Sequence, residues 1–212
     1  MFRKFILFIM LISSFPLFAD AERDLFKAIA DQNIQSFHSS LDQLDDPNIY
    51  DSRGRSALHL AILYNNDQMG VALVNAGAGA DEYDNEGDSI LYLAVLRDME
   101  QTAAALIRSG ADPNFINQYG NSILIMAISR NMELTSLELV KNGAEPNTIS
   151  SAGVPALLLS VQKGLRETAE VLVKRGAEVN IIDKRGYTPL MYATWRQYET
   201  LKDLLIEHGA ED

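Results

Sequence analysis

Cysteine is absent from the 212 residues, so disulfide staples, thiolate metal sites and thiol catalysis are excluded and stability must come from packing alone. Cations are scarce: 18 Lys and Arg stand against 29 Asp and Glu, for a formal net charge of -11. A surface built throughout to neutralise phosphates needs the opposite balance, which argues against a nucleic-acid binder but leaves room for a local basic patch. Aromatic residues make up 8% of the chain, and tryptophan occurs once. Long apolar runs are missing too. Phe5 to Ile12 is unbroken, yet even extended to Ala19 it falls short of the roughly 20 residues that a membrane-spanning helix needs. With 47% hydrophobic residues and a mean hydropathy of -0.05, one or two ordinary globular domains or one repeat array remain.

The apolar run has a role of its own. Arg3 and Lys4 precede it, Ser13, Ser14 and Pro16 loosen its end, and Ala19-Asp20-Ala21 follows, which is the order of a secretory signal peptide. Residues 1–21 are expected to be removed by a cut after Ala21, with a cut after Ala19 as the near alternative. With no cysteine to carry a lipid, the mature chain is expected to be periplasmic or secreted and not held at a membrane.

The remainder repeats itself. Gly54, Gly87, Gly120, Gly153 and Gly186 are each 33 residues apart, and so are Leu58, Leu91, Leu124, Leu157 and Leu190. Ala61, Ala94, Ala127, Ser160 and Ala193 keep the same ruler, as do the Gly-Ala pairs that begin at Gly77, Gly110, Gly143, Gly176 and Gly209. Each unit opens with a turn that starts at Asp, Asn or Ser and closes at Gly. Two short apolar-periodic segments follow. Ser56, Ser89, Ser122 and Thr188 are placed to cap the first segment as a helix, and the Gly of Gly-Ala to stop the second.

These residues resemble the ankyrin repeats, most closely at Asp183-Lys-Arg-Gly-Tyr-Thr-Pro-Leu-Met191 and Asp51-Ser-Arg-Gly-Arg-Ser-Ala-Leu-His59. Asn114, Asn147 and Asn180 stand at the family's Asn position, where Asp81 replaces it in the first full unit. The resemblance implies an all-α solenoid of helix-turn-helix units with β-turn tips. It divides the mature chain into an N-terminal capping repeat at 22–50, repeats at 51–83, 84–116, 117–149 and 150–182, and a C-terminal repeat at 183–212, with no second domain expected. Asp24, Lys27, Asp31, Gln32 and Gln35 supply the polar outer face that a terminal repeat requires. Pro155 stands where the capping hydroxyl belongs, so the fourth full unit is expected to be locally weaker.

No enzyme motif emerges. His38, His59 and His208 are not spaced as metal ligands, and only His59 keeps the family's His, where its expected role is structural. Asp84-Asn-Glu-Gly-Asp88 lacks the spacing and closing Glu of a calcium loop, and Gly77-Ala-Gly79 has no strand before it to make a phosphate cradle. Neither a metal nor another cofactor is expected.

Surface remains. The column ten residues after each tip glycine reads Tyr64, Arg97, Arg130, Lys163 and Arg196, a run of four cations on an acidic chain. The competing reading is that each cation serves the negative end of its own helix. Before and within the turns stand Tyr50, Arg53, Arg55, Tyr83, Ile116, Tyr119, Ile149, Val154, Ile182, Arg185 and Tyr187, with Trp195 beside Arg196. Tyr, Trp and Arg carry much of the energy of protein interfaces, although the isoleucines also suit packing of one turn on the next. The partner-binding candidates are therefore Tyr50, Arg53, Tyr64, Tyr83, Arg97, Tyr119, Arg130, Lys163, Arg185, Tyr187, Trp195 and Arg196.

An exported module that docks a partner protein in a concave groove, itself monomeric when free, is the leading expectation. By resemblance to small periplasmic ankyrin proteins of Gram-negative bacteria, some of them associated with catalase and peroxide resistance, a heme catalase is the first partner to consider. A heme or small-ligand carrier and a secreted effector of a host protein are the alternatives.

Overall fold

The computed structural model describes residues 20–84 and 86–211. The expected signal peptide lies outside them, apart from Asp20 and Ala21, which open the first helix. After Ser109 the chain divides into two compact units. The first holds α1 (Asp20–Ala30), α2 (Ile34–Leu41), α3 (Ala57–Leu63), α4 (Asp67–Asn75), α5 (Ile90–Leu96) and α6 (Glu100–Arg108). The second holds α7 (Ile123–Ser129), α8 (Glu133–Lys141), α9 (Ala156–Lys163), α10 (Arg166–Lys174), α11 (Pro189–Trp195) and α12 (Glu199–Glu207). Among the described residues no strand forms beyond isolated bridges, so the expected all-α class is what the structure has.

Helices of seven to eleven residues are too short to persist alone, so each unit must stack them to bury their apolar sides. Within each unit successive helices pair, and the pairs stack in two layers, first helices on first and second on second. The first helices are almost wholly inside: Ala57, Leu58, Leu60, Ala61 and Ile62 of α3 and Ile123, Leu124, Ile125, Ala127 and Ile128 of α7 are buried. Each such Leu or Ile contributes roughly 1.5 to 3 kcal/mol by leaving water.

The sequence markers act as expected. Ser56, Ser89, Ser122 and Thr188 accept the N–H three residues on, at 3.0, 3.1, 3.3 and 3.1 Å. At Pro155 there is no such bond, and α9 runs on to end at the left-handed Gly164. The opening residue of each turn folds it, since its side-chain oxygen takes backbone N–H groups: Asp51 from Arg53 and Arg55, Asp84 from Glu86 and Asp88, Asn117 from Tyr119 and Asn121. The family's Asn stitches repeats together. Asn147 donates to the carbonyl of the helix-stopping Gly176 at 3.2 Å and accepts from Glu178 N–H at 2.8 Å; Asn48, Asn114 and Asn180 do the same with Gly77, Gly143 and Gly209.

Candidate docking surface

Within the first unit the candidates are mostly engaged. Tyr50, before the first tip, donates its hydroxyl to Glu82 Oε1 at 3.1 Å; burial first, then that bond and the Glu82 charge, raise its pKa. Arg53 is exposed at the tip, where its N–H closes the turn on Asp51. Beside it, burial resists ionisation of Asp51, but the hydrogen bonds and charge of Arg55, 2.6 Å away, outweigh it and hold the carboxyl below its ordinary value. Tyr64 is half-buried at the end of α3, its carbonyl accepting from Gln32 at 3.3 Å. Tyr83 is 54% exposed in a backbone bridge with Ser89, and Arg97 is exposed where α5 ends.

Within the second unit the cation column has a structural use. Lys163 Nζ donates to Ser129 O at 2.9 Å, and Arg196 Nη2 to Gln162 O at 2.6 Å. Each therefore bonds a carbonyl at the end of the preceding repeat's first helix, where the backbone dipole is negative. Helix-end service thus holds for these two, but toward the neighbouring helix and not their own. Arg130 occupies the same place at the end of α7.

The apolar tip residues are not packed away. Ile116, Ile149 and Ile182 are 61%, 60% and 64% exposed, and Tyr119 is 72%. Trp195, 57% exposed, meets Tyr187 edge-on with ring centroids 4.7 Å apart. Tyr192 completes the cluster, 5.5 Å from Trp195 and 6.1 Å from Tyr187. Tyr192 is absent from the sequence-derived candidates because its column holds mostly ordinary helix-packing residues. Its hydroxyl donates to Asp183 Oδ2 at 2.7 Å, a bond that is the main cause raising its pKa. The backbone N–H of Tyr187 leads the donors that hold Asp183 below its ordinary value. Exposed Arg185 flanks this carboxylate, donating its N–H to Oδ1 at 2.8 Å.

Between the last two tips lies a cleft of about 280 Å³, with Val154, Pro155, Leu158 and Ile182 as its apolar lining and Gln162, Asp183, Lys184 and Arg185 as its polar edge. In the sequence Pro155 shows only as a lost cap; the space around it exists only once two tips stand side by side. A larger groove of about 590 Å³ in the first unit is lined by polar residues of α1 and α2, among them Asp24, Lys27, Asp31 and Gln35. Among the described residues no cluster of His, Asp and Glu is arranged to hold a metal, and no helix is long and apolar enough to cross a membrane.

The family model of ankyrin repeats (three copies) matches residues 25–117, 92–183 and 124–212. The chain belongs to the ankyrin-repeat family. Ankyrin-repeat modules are typically protein-binding scaffolds and generally not enzymes. Among solved structures, an ankyrin repeat domain from Acinetobacter baumannii AYE is 31% identical over 90% of this chain and 100% of its own, with a TM-score of 0.59. The ankyrin repeat domain of Bcl-3, an IkappaB-family protein, is 23% identical over 89% of this chain and 86% of its own (TM-score 0.51). A structure of a predatory endopeptidase from Bdellovibrio bacteriovorus in complex with an immunity protein is 23% identical over 87% of this chain and 97% of its own (TM-score 0.53). No curated protein matches.

Proposed function

We propose that this ankyrin array is an exported docking module that binds a partner protein along its turn tips and the ends of its first helices. The observation that carries this reading is the exposure of Ile116, Tyr119, Ile149 and Ile182 at the tips, where turns are ordinarily polar, together with Trp195 at the end of α11, all between 57% and 72%. Large apolar and aromatic side chains left in water gain by covering. Export rests on the leader at residues 1–21, and a heme catalase of the same compartment is the first partner to test, by resemblance to the small periplasmic ankyrin proteins.

The test is affinity capture with the tagged full chain, expressed with its leader in its own organism. The control is a Tyr119→Ala, Ile149→Asp, Ile182→Asp variant. These positions serve better than the cation column, because Lys163 and Arg196 hold neighbouring helices. The expected result is one stoichiometric partner lost in the control, with a catalase showing Soret absorbance and oxygen release from peroxide. Fractionation with N-terminal sequencing checks export, expecting a periplasmic or secreted chain that begins at Glu22 or Asp20. Capture unaffected by the control would move docking away from the tips. A chain retained uncleaved in the cytoplasm would remove export.

A further inference from the structure

Resting on that docking reading, we propose that the cleft between the last two tips is a socket for one apolar side chain of the partner, presented on a segment whose neighbouring residues are Asp or Glu. The fourth tip departs from its siblings in one direction. Its turn opens with Ser150, which makes a single bond to Val154 N–H at 3.1 Å, where the other tips use Asp or Asn. It closes with Val154-Pro155, where the others read Arg55-Ser56, Asp88-Ser89, Asn121-Ser122 and Tyr187-Thr188. Two consecutive positions thereby lose polar groups, and one loses a helix cap, to create apolar wall.

With Leu158 and Ile182 that wall lines a space of about 280 Å³. That is just under the roughly 300 to 1,000 Å³ of pockets for whole small molecules and admits one large apolar side chain with part of its flanking segment. The charges select its flanks. Asp183 is saturated from within: Oδ1 takes the N–H groups of Arg185 and Tyr187, and Oδ2 takes the Tyr192 hydroxyl and, at 3.4 Å, the Gln162 amide. The charged groups left facing an incoming segment are exposed Lys184 and Arg185, on a chain otherwise rich in acid. Carboxylates beside the inserted residue complement them.

The chain carries its own reporter. Trp195 is the only tryptophan, in ring contact with Tyr192, whose hydroxyl bonds two residues of the cleft. Random linear peptides displayed on phage are selected on the immobilised full chain, and synthetic copies of the winners are titrated by Trp195 emission. The expected winners share an aromatic or large aliphatic residue flanked by Asp or Glu. Their affinity should fall at least about tenfold with Val154→Phe, which fills the cleft, and with Arg185→Glu, which reverses its rim. Arg185 is exposed, so its variant keeps the test valid if Val154→Phe disturbs folding. Winners that are basic or share no apolar residue, or that bind both variants unchanged, would overturn the socket. Peptides that ignore both variants but lose affinity on Tyr119→Ala would overturn it while leaving the docking reading intact. Failure to enrich any peptide would count against both.

Discussion

The two units share one repeat plan but use their side chains differently. In the first, tip and interior groups satisfy one another: Tyr50 bonds Glu82, Arg55 pairs with Asp51, and Asp67 accepts both the N–H and, at 2.6 Å, the hydroxyl of Thr102. In the second, three tip isoleucines and a tryptophan face water, a cap hydroxyl is missing, and Thr168 Oγ1 is buried with no hydrogen-bond partner. The reason at Thr168 is local. Glu133, which stands where the first unit has Asp67, accepts the Glu167 N–H at 3.1 Å, as Asp67 accepts that of Gln101, but does not take the threonine hydroxyl as Asp67 does. The contrast is one of degree: the second unit exposes more large apolar surface at its tips and holds the one buried hydroxyl without a partner among the described residues, and such local departures gather where a surface is used.

The largest expected effect tests how tightly the first unit is built. A Cβ on Gly70 in α4 would overlap the Thr102 hydroxyl and lie 2.9 Å from its Cγ2, whereas the later repeats place Ala103, Ser136 and Ala169 at the equivalent positions. Gly70→Val should destabilise by about 3 kcal/mol in urea unfolding, with hydrogen exchange rising first in α4 and α6, because overpacking there has no flexible neighbour to yield. The threonines come next and should have opposite signs. Thr102→Val should cost about 2 kcal/mol by removing a charge-assisted bond and leaving Asp67 short of a donor, while Thr168→Val should be neutral or gain about 1 kcal/mol by removing an unpaired hydroxyl. Equal costs in both would show that the contrast between the units is not one of satisfaction.

Much of this architecture is legible in the sequence, because a 33-residue ruler turns single residues into columns. Caps, tip glycines, helix stops and the bridging Asn each recur with a local physical cause. A further column does the same but is hidden by its composition: Gln32, Asn65, Asp98, Asn131, Gly164 and Gln197 all take left-handed backbone between the helices of a pair, and only one is glycine. What could not be read depends on neighbours in space. Lys163 and Arg196 reach carbonyls 34 residues back, so their helix-end role exists only once repeats stack. The cleft is likewise empty space bounded by two tips, and no residue type encodes a void. Tyr192 joins its aromatic cluster through ring geometry that an ordinary helix position does not announce.

The cation column gives a smaller effect. Replacing Lys163 and Arg196 together by Met keeps their apolar stems and deletes two bonds to helix-end carbonyls. The melting temperature should fall by an amount equivalent to roughly 1 kcal/mol, and high salt should shrink the difference between variant and parent. Arg97→Met in the first unit is the comparison. If a partner is captured equally by the double variant, the second unit's cations belong to its stability and the apolar tips carry the binding. If capture is lost while melting is unchanged, the column is a contact surface that happens to satisfy carbonyls.

The smallest expected effect concerns pH and belongs to the first unit. Burial lowers the His59 pKa below its ordinary 6.5, against the opposing attraction of Asp84. The folded state therefore disfavours the imidazolium relative to the unfolded chain, in which the proton is taken up near 6.5. Stability linked to His59 is then complete above that value and is lost as pH falls from it toward the lower folded pKa. Thermal melts at successive pH values between 7.5 and 5.5, about two units spanning the ordinary His range, should show this loss in the parent. In a His59→Gln variant the slope over this interval should be shallower, because the group whose folded pKa is lowered is gone. The first unit then weakens on mild acidification through a half-buried group, a cost that the second unit's tips, which contain no histidine, do not carry.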